Sequence, residues 1–410
     1  MKFARFALTT AATLVLASCA GANAGLSEAG ADSAIAAVPS APNYPDQAAL
    51  YSDLDNPMRP EEFQGATILD VDRYRPTYRL TSCAADPFLQ AIPLGDLKAA
   101  LTEAQAYSEQ FGGVGLIVML NGEVMHESYA QGADETTLTA SASQMKSVLS
   151  LLYGIAIEQG HIGSIDDPID EYLDEWKGDL RGKITLRQML TMSTGLGQTD
   201  FIQLIFAPDV GPVVLEAPLA GKPDSEFNYS NAVSKLLAIA LERRVTQAGY
   251  ASLSQYLHAE LWCPMGGGEA LLWVDAAGKM RGYAGLHATL RDWAKVGELI
   301  RNQGKANGRQ IVPQSWIAEM ARPSIANAQY GLHVWLGQEW TAERSYSQAN
   351  PIKIKHSEPF DAKDIVYFDG FGGQRVYVIP SDGLTIVRSG LVNLEFDDSR
   401  LPNIIGRALD

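Results

Sequence analysis

Cysteine, histidine and positive charge are all scarce in this chain. Its 410 residues include three cysteines, six histidines and 32 Lys plus Arg against 48 Asp plus Glu, a formal net charge of −16 at pH 7. The shortage of cations argues against nucleic acid as a partner, because phosphate binding needs clustered Lys and Arg. The acidic excess says little beyond solubility. Cys19, Cys83 and Cys263 have no metal-ligand spacing, and there is no zinc-type His/Cys/Asp cluster, no His-Glu-x-x-His and no phosphate-binding glycine loop. No metal and no cofactor is therefore expected. After the N-terminus no apolar run approaches the ~20 residues of a membrane span. A Gly-x-Ser-x-Gly elbow is absent too, which speaks against an α/β-hydrolase.

The N-terminus has the layout of an export signal: Lys2 and Arg5, an apolar stretch from Phe6 to Leu16, then small residues. Leu16-Ala17-Ser18-Cys19 resembles a bacterial lipobox, in which Cys19 is lipidated and becomes the mature N-terminus. The alternative is a plain secretory signal cut nearby, for instance after Ala22-Asn23-Ala24. The lipobox is preferred because Cys19 directly follows the apolar stretch. Residues 1–19 then read as a lipoprotein signal, and a membrane is a partner only through the lipid anchor. Ala20, not Asp, follows the cysteine, so the expected location is the periplasmic face of the outer membrane. Cys83 and Cys263 remain, either to pair in an oxidising compartment or to lie buried as thiols.

Residues 20–58 are rich in Ala, Gly, Ser and Pro without a sustained period, and read as a flexible tether. Residues 59–410 read as the folded domain, beginning with an irregular arm to about residue 90. Leu97, Leu101, Ala104 and Tyr107 recur at helical spacing, and Gly115 to Leu120 is a buried strand. Asn121-Gly122 signals a hairpin, with Glu123 to Tyr129 as the returning strand. Helices are expected over 143–159, 184–192, 229–245 and 289–302. Strands are expected over 330–336, 365–368, 375–379 and 384–388, then a closing helix over 402–409. This order predicts an α+β fold: one antiparallel sheet built from both chain ends and flanked by helices. Its α/β part would span about 93–150 and 285–410, and an all-helical part about 151–284 is inserted between. The cleft between the parts is the expected ligand site.

Three stretches carry chemistry. In Ser143-Gln144-Met145-Lys146 the serine and lysine lie one helical turn apart on the same face. A desolvated lysine loses affinity for its proton and acts as a base toward the hydroxyl. The structural alternative is that Ser143 caps the helix and Lys146 is solvated. A polar lead-in from Gly132 to Ser141 and the apolar later turns (Val148, Leu149, Leu151, Leu152) favour the functional reading. Tyr229-Ser230-Asn231 opens the next long helix, where a tyrosine can relay a proton and an asparagine amide can hold a substrate carbonyl. Gly370-Phe371-Gly372-Gly373-Gln374-Arg375 lies between two late strands, where a backbone N–H can complete an oxyanion hole with that of Ser143. Each of the last two, alone, is more often structural. His287, at a helix start, reads as structural, and Trp335, Trp340 and Tyr346 read as core aromatics before cleft ones.

In this order the three stretches resemble the serine β-lactamase and penicillin-binding family, in its class C-like branch. Gly163-Ser164-Ile165-Asp166-Asp167-Pro168-Ile169, the run Ile184 to Leu196 and Gly285 to Asp292 are similar to the same family. That branch also holds esterases, D-amino-acid peptidases and 6-aminohexanoate-dimer hydrolases. The resemblance implies hydrolysis of a small-molecule ester or amide through an acyl-enzyme on Ser143, with Lys146 and Tyr229 moving its proton. The Lys-Thr-Gly element of the β-lactamases is missing, and Phe368-Asp369-Gly370 stands near its place, so efficient penicillin hydrolysis is not expected. The Gly-x-x-Gly-Gln pattern is closer to the 6-aminohexanoate-dimer hydrolases and esterases. It implies Phe371 as the second oxyanion donor and Asn231, Gly372, Gly373 and Gln374 as substrate contacts. The rival expectations are a D,D-peptidase or weak β-lactamase, and a surface-tethered binding lipoprotein without turnover.

Overall fold

The computed structural model describes residues 46–85, 87–347 and 350–409. Cys19, the rest of the proposed signal and residues 20–45 lie outside them.

Among the described residues, seven strands form a sheet in the order Trp335–Leu336, Val366–Gly370, Gln374–Ile379, Leu384–Gly390, Gly113–Leu120, Glu123–Tyr129, Leu89–Gln90. All neighbours pair antiparallel except the last two strands. Both chain ends supply strands, as the pattern predicts. Gly113–Leu120 has almost no alternation of polar and apolar residues because both its faces are covered and seven of its eight residues are buried. Helix Leu290–Arg301 lies on one face; Gly95–Gln110 and Arg400–Gly406 pack together at the strand Gly113–Leu120.

The stretch from 151 to 284 contributes helices Leu186–Leu190, Phe201–Phe206, Gly211–Leu215, Asn231–Gln247 and Leu253–Leu257. It is not all-helical. Ala270–Trp273 is a strand, pairing with Thr77–Leu80 on one side and Leu286–Ala288 on the other. It is the middle of a second sheet, of five strands, that runs from Tyr51–Ser52 to Thr139–Ala140. That sheet shortens the expected tether. Tyr51 pairs with Tyr78, and Leu50 and Met58 are buried, so residues 46–58 belong to the folded body.

The arm over residues 59–90 is braced internally at one place and fastened to the body at two. Arg75 reaches Glu62 at 2.7 Å, the Ala140 N–H donates to the Ile68 carbonyl at 2.8 Å, and Cys83 is joined to Cys263 as a disulfide with Cα atoms 5.2 Å apart. The disulfide closes a separation of 180 residues, and a loop of that length restricts the unfolded chain by about 5 kcal/mol in the chain-entropy view. His258 sits beside it, but sulfurs held in a disulfide are not thiolate ligands for a metal. No helix among the described residues is long and apolar enough to cross a membrane.

Candidate active site

Ser143 sits in a tight turn, Ala142–Gln144, that runs into the helix Met145–Glu158. The helix expected from residue 143 therefore begins as this tighter turn and becomes α-helical at Met145. Ala142, immediately before the serine, has φ +46°, a left-handed conformation that costs a non-glycine residue of order 1–3 kcal/mol. The surroundings hold it there: the Gln144 N–H donates to the Ser141 carbonyl, and the Leu286 N–H donates to Ser141 Oγ.

Lys146 lies one turn on and is almost wholly buried. Its Nζ donates to Ser143 Oγ at 3.0 Å, Asn231 Oδ1 at 2.7 Å and the Tyr283 carbonyl at 3.1 Å. All three acceptors are neutral. Burial without a contacting carboxylate pushes the lysine down to about 7, a shift that the more distant Asp369 partly opposes. At neutral pH a large fraction of Lys146 is thus a free amine aimed at a serine hydroxyl.

Tyr229 precedes helix Asn231–Gln247, whose N-cap is Ser230. Its N–H donates to the Tyr346 carbonyl at 2.8 Å, its ring stacks on Trp335 at 5.9 Å, and Lys146 Nζ lies 4.6 Å from the ring centroid. Its hydroxyl is held well above the ordinary phenol range, first by burial and then by the Asp369 charge, although the hydrogen bond to Ser143 works the other way. Tyr229 is therefore a neutral phenol, and the arrangement separates two roles: Lys146 accepts a proton and Tyr229 has one to give. Asn231 is brought in as expected, but with its carbonyl oxygen spent on Lys146.

The end of strand Val366–Gly370 abuts the serine turn. A Cβ on Gly370 would stand 2.5 Å from the Ser141 carbonyl oxygen, so only glycine permits this approach. Phe371 follows, 42% exposed at the cleft rim. The peptide joining the two residues is aligned from behind: Arg375 Nη1 donates to the Gly370 carbonyl at 2.9 Å. Carbonyl and N–H of one trans peptide point opposite ways, so this bond turns the Phe371 N–H away from the arginine.

The other expected contacts are corrected. Gln374 is buried and turned into the sheet, donating to the Gly390 carbonyl at 2.6 Å and accepting from the Gly390 N–H at 2.9 Å. The Gly373 carbonyl accepts from Arg388 Nη1 at 2.6 Å. Neither these residues nor Gly372 lines the cleft; they shape the turn that presents Phe371. The cleft itself has a volume of about 700 Å³, and Ser143, Tyr229, Ser230, Asn231, Tyr346 and Phe371 lie along it. Tyr346 is a cleft residue, whereas Trp335 is core and Trp340 is on the surface. His287 lies on strand Leu286–Ala288, not at a helix start, and its ring packs on Tyr74.

Asp369 does not present a charge where a Lys-Thr-Gly lysine would. Its carboxylate accepts from the Tyr346 hydroxyl at 2.6 Å and is paired with Arg344 at 3.0 Å and Arg375 at 2.5 Å. Both arginines also hold Asp398, at 2.9 and 2.7 Å. Sequence reading missed this buried network, and missed Tyr283, whose contribution is a backbone carbonyl that no side-chain motif reveals.

This geometry has counterparts. The chain is 27% identical over 256 residues to a 6-aminohexanoate-dimer hydrolase of Paenarthrobacter ureafaciens, covering 57% of this chain and 63% of that protein. It thus spans less than two thirds of that relative's length. Among solved structures it is similar to a provisionally named 6-aminohexanoate-dimer hydrolase from Bacillus anthracis, with TM-score 0.65 and 19% identity over 89% of this chain and 96% of the other. It is also similar to a family VIII carboxylesterase, with TM-score 0.58 and 17% identity over 78% and 99%. At these identities the two structures speak for the fold. The family model described as Beta-lactamase matches residues 97–403, most of the chain and every polar residue of the serine centre, and the protein belongs to the β-lactamase family.

Proposed function

We propose that this protein is a serine hydrolase that cleaves an ester or amide bond through an acyl-enzyme on Ser143. The observation that carries the reading is Lys146, a buried amine with its proton affinity lowered to about 7 and its Nζ 3.0 Å from Ser143 Oγ. Ser143 Oγ attacks the substrate carbonyl as its proton passes to Lys146, and the N–H groups of Ser143 and Phe371 hold the oxyanion. When the tetrahedral intermediate collapses, the leaving oxygen or nitrogen takes a proton from the Tyr229 hydroxyl, which Lys146 restores. Water then attacks the acyl-enzyme by the same route. The Asn231 amide group, with its oxygen on Lys146, orients the substrate carbonyl side.

The names of the similar proteins, a 6-aminohexanoate-dimer hydrolase and a carboxylesterase, agree with this reading. A D,D-peptidase or β-lactamase needs a cation for the substrate carboxylate, and the residue near that place is Asp369. A binding protein without turnover has no use for an unpaired buried lysine, which burdens stability.

Ser143→Ala tests the reading with a short-chain p-nitrophenyl ester. Turnover should fall by about 10⁴-fold or more; turnover that survives near the wild-type rate rules out the mechanism.

Export as a lipoprotein anchored through Cys19 is part of the same proposal, supported by the lipobox-like run and by a Cys83–Cys263 disulfide suited to an oxidising compartment. In cells fed labelled palmitate the protein should carry the label and Cys19→Ser should not. Label on the serine variant would refute the anchor.

A further inference from the structure

The cleft wall is unusual for what it omits. No Asp, Glu, Lys or Arg is among the described residues that line it, in a chain where one residue in five is charged. The ionisable groups it does contain stay neutral. Burial pushes His287 down to about 3, and it raises the phenols of Tyr74, Tyr283 and Tyr346. Lys146 stands behind Ser143 and reaches the cleft through the serine hydroxyl.

One side of this wall precedes the matched family region. Phe63, Ala66, Thr67, Ile68 and Tyr74 line the cleft, whereas the family match begins at residue 97. These residues are packed on both parts of the fold. Phe63 meets Phe206 edge-on at 5.8 Å, Tyr74 meets Trp273 at 5.2 Å, and Ile68 is buried with Val114 and Ala140. Ala140, three residues before the nucleophile, donates its N–H to the Ile68 carbonyl. The arm therefore carries apolar surface to the edge of the serine turn, and Ile205, clustered with Phe63 and Tyr74, and its neighbour Leu204 extend that surface along the cleft. An ammonium or carboxylate placed there gives up water and touches no charged side chain, since Arg281 is buried behind the wall with its guanidinium on the Leu204 carbonyl, the Tyr283 hydroxyl and the Trp273 ring, and this is strongly unfavourable.

We propose that the arm over residues 60–76 builds a charge-free acyl pocket beside Ser143, and that Phe63, Ile68 and Tyr74 select substrates whose acyl group is an uncharged apolar chain or ring. The proposal rests on Ser143 being the nucleophile, and it separates this chain's substrate from one bearing a terminal amine or carboxylate on its acyl group.

The test uses three p-nitrophenyl esters of one length, hexanoate, 6-aminohexanoate and the adipate monoester, with the acetate as a short-chain reference. For the wild-type protein kcat/KM on hexanoate should exceed both charged esters by at least about 100-fold. In Phe63→Ala, with folding checked by its melting curve, the hexanoate-to-acetate ratio should fall by about 10-fold. Ile205→Ala, in the cluster that Phe63 and Tyr74 pack against, should lower the same ratio. Binding of the three esters to Ser143→Ala, followed by ligand-observed NMR, reports the pocket without the chemistry. Tighter binding of hexanoate supports the pocket even where turnover fails and Ser143 is at fault. Equal or tighter binding of a charged ester overturns it, as does a chain-length ratio that neither wall variant changes.

Discussion

Lys146 and Arg375 are equally buried cations on the two sides of one catalytic cleft, and burial drives them in opposite directions. Lys146 has three neutral acceptors and loses its hold on its proton, to about 7. Arg375 has Asp369 at 2.5 Å and Asp398 at 2.7 Å, and its proton is held more tightly than usual. Desolvation acts against the charge in both; what differs is whether a carboxylate touches it. The paired side is built on Arg344, Asp369, Arg375 and Asp398, whose formal charges cancel, with Tyr346 on Asp369 and His356 beside Asp398. Its task is mechanical, since Arg375 Nη1 also holds the Gly370 carbonyl and so aligns the peptide that carries the Phe371 N–H. The unpaired side is chemical. One region keeps its charges to stay rigid, and the other gives its charge up to react.

Making Lys146 permanently charged breaks the comparison most severely. Lys146→Arg keeps a cation and its donors but cannot release a proton, so kcat/KM should fall by about 10³-fold or more. Lys146→Met should be as inactive yet at least as stable, because a buried amine with no counter-charge is replaced by an apolar chain. Rates together with melting temperatures check both variants. An arginine variant within about tenfold of wild type would mean that no uncharged lysine is needed.

The next effect is on the paired side. Asp369→Asn leaves Arg344 and Arg375 to share Asp398 alone, and breaking a buried pair in this way should cost about 3–5 kcal/mol of stability. Urea unfolding measures the loss. A change below about 1 kcal/mol would show the network to be ornamental.

How far these two sides were legible in the sequence follows from the same contrast. Ser143 and Lys146 were readable because a helix turns an i, i+3 spacing into a contact. Tyr229 and Asn231 were readable by their place at the start of a second helix. The sheet was readable from apolar runs and the Asn121-Gly122 turn. The network was not, since Arg344 pairs with a carboxylate 54 positions away, and charged residues in strands look the same whether solvated or interlocked. Gln374 was misassigned because a glycine-rich turn shows where backbone can approach a ligand, not which way the next side chain faces. The tether was drawn too long because Tyr51 is held by Tyr78, a pairing with no local pattern.

The smallest predicted effect tests the link between the sides. Lys146 works as a base only when unprotonated, so kcat/KM should rise with pH through an inflection near 7 and level off above it. Asp369 does not touch the lysine, yet its negative charge favours the protonated amine and so holds that inflection up. Removing the charge in Asp369→Asn should therefore move the inflection to lower pH, although the variant is less stable. A purely structural role for Asp369 predicts a lower plateau with the inflection unmoved, so a pH profile of the variant distinguishes the two. An inflection that moves upward would overturn this account, because the lost carboxylate and the two arginines it releases all act to lower the lysine's proton affinity.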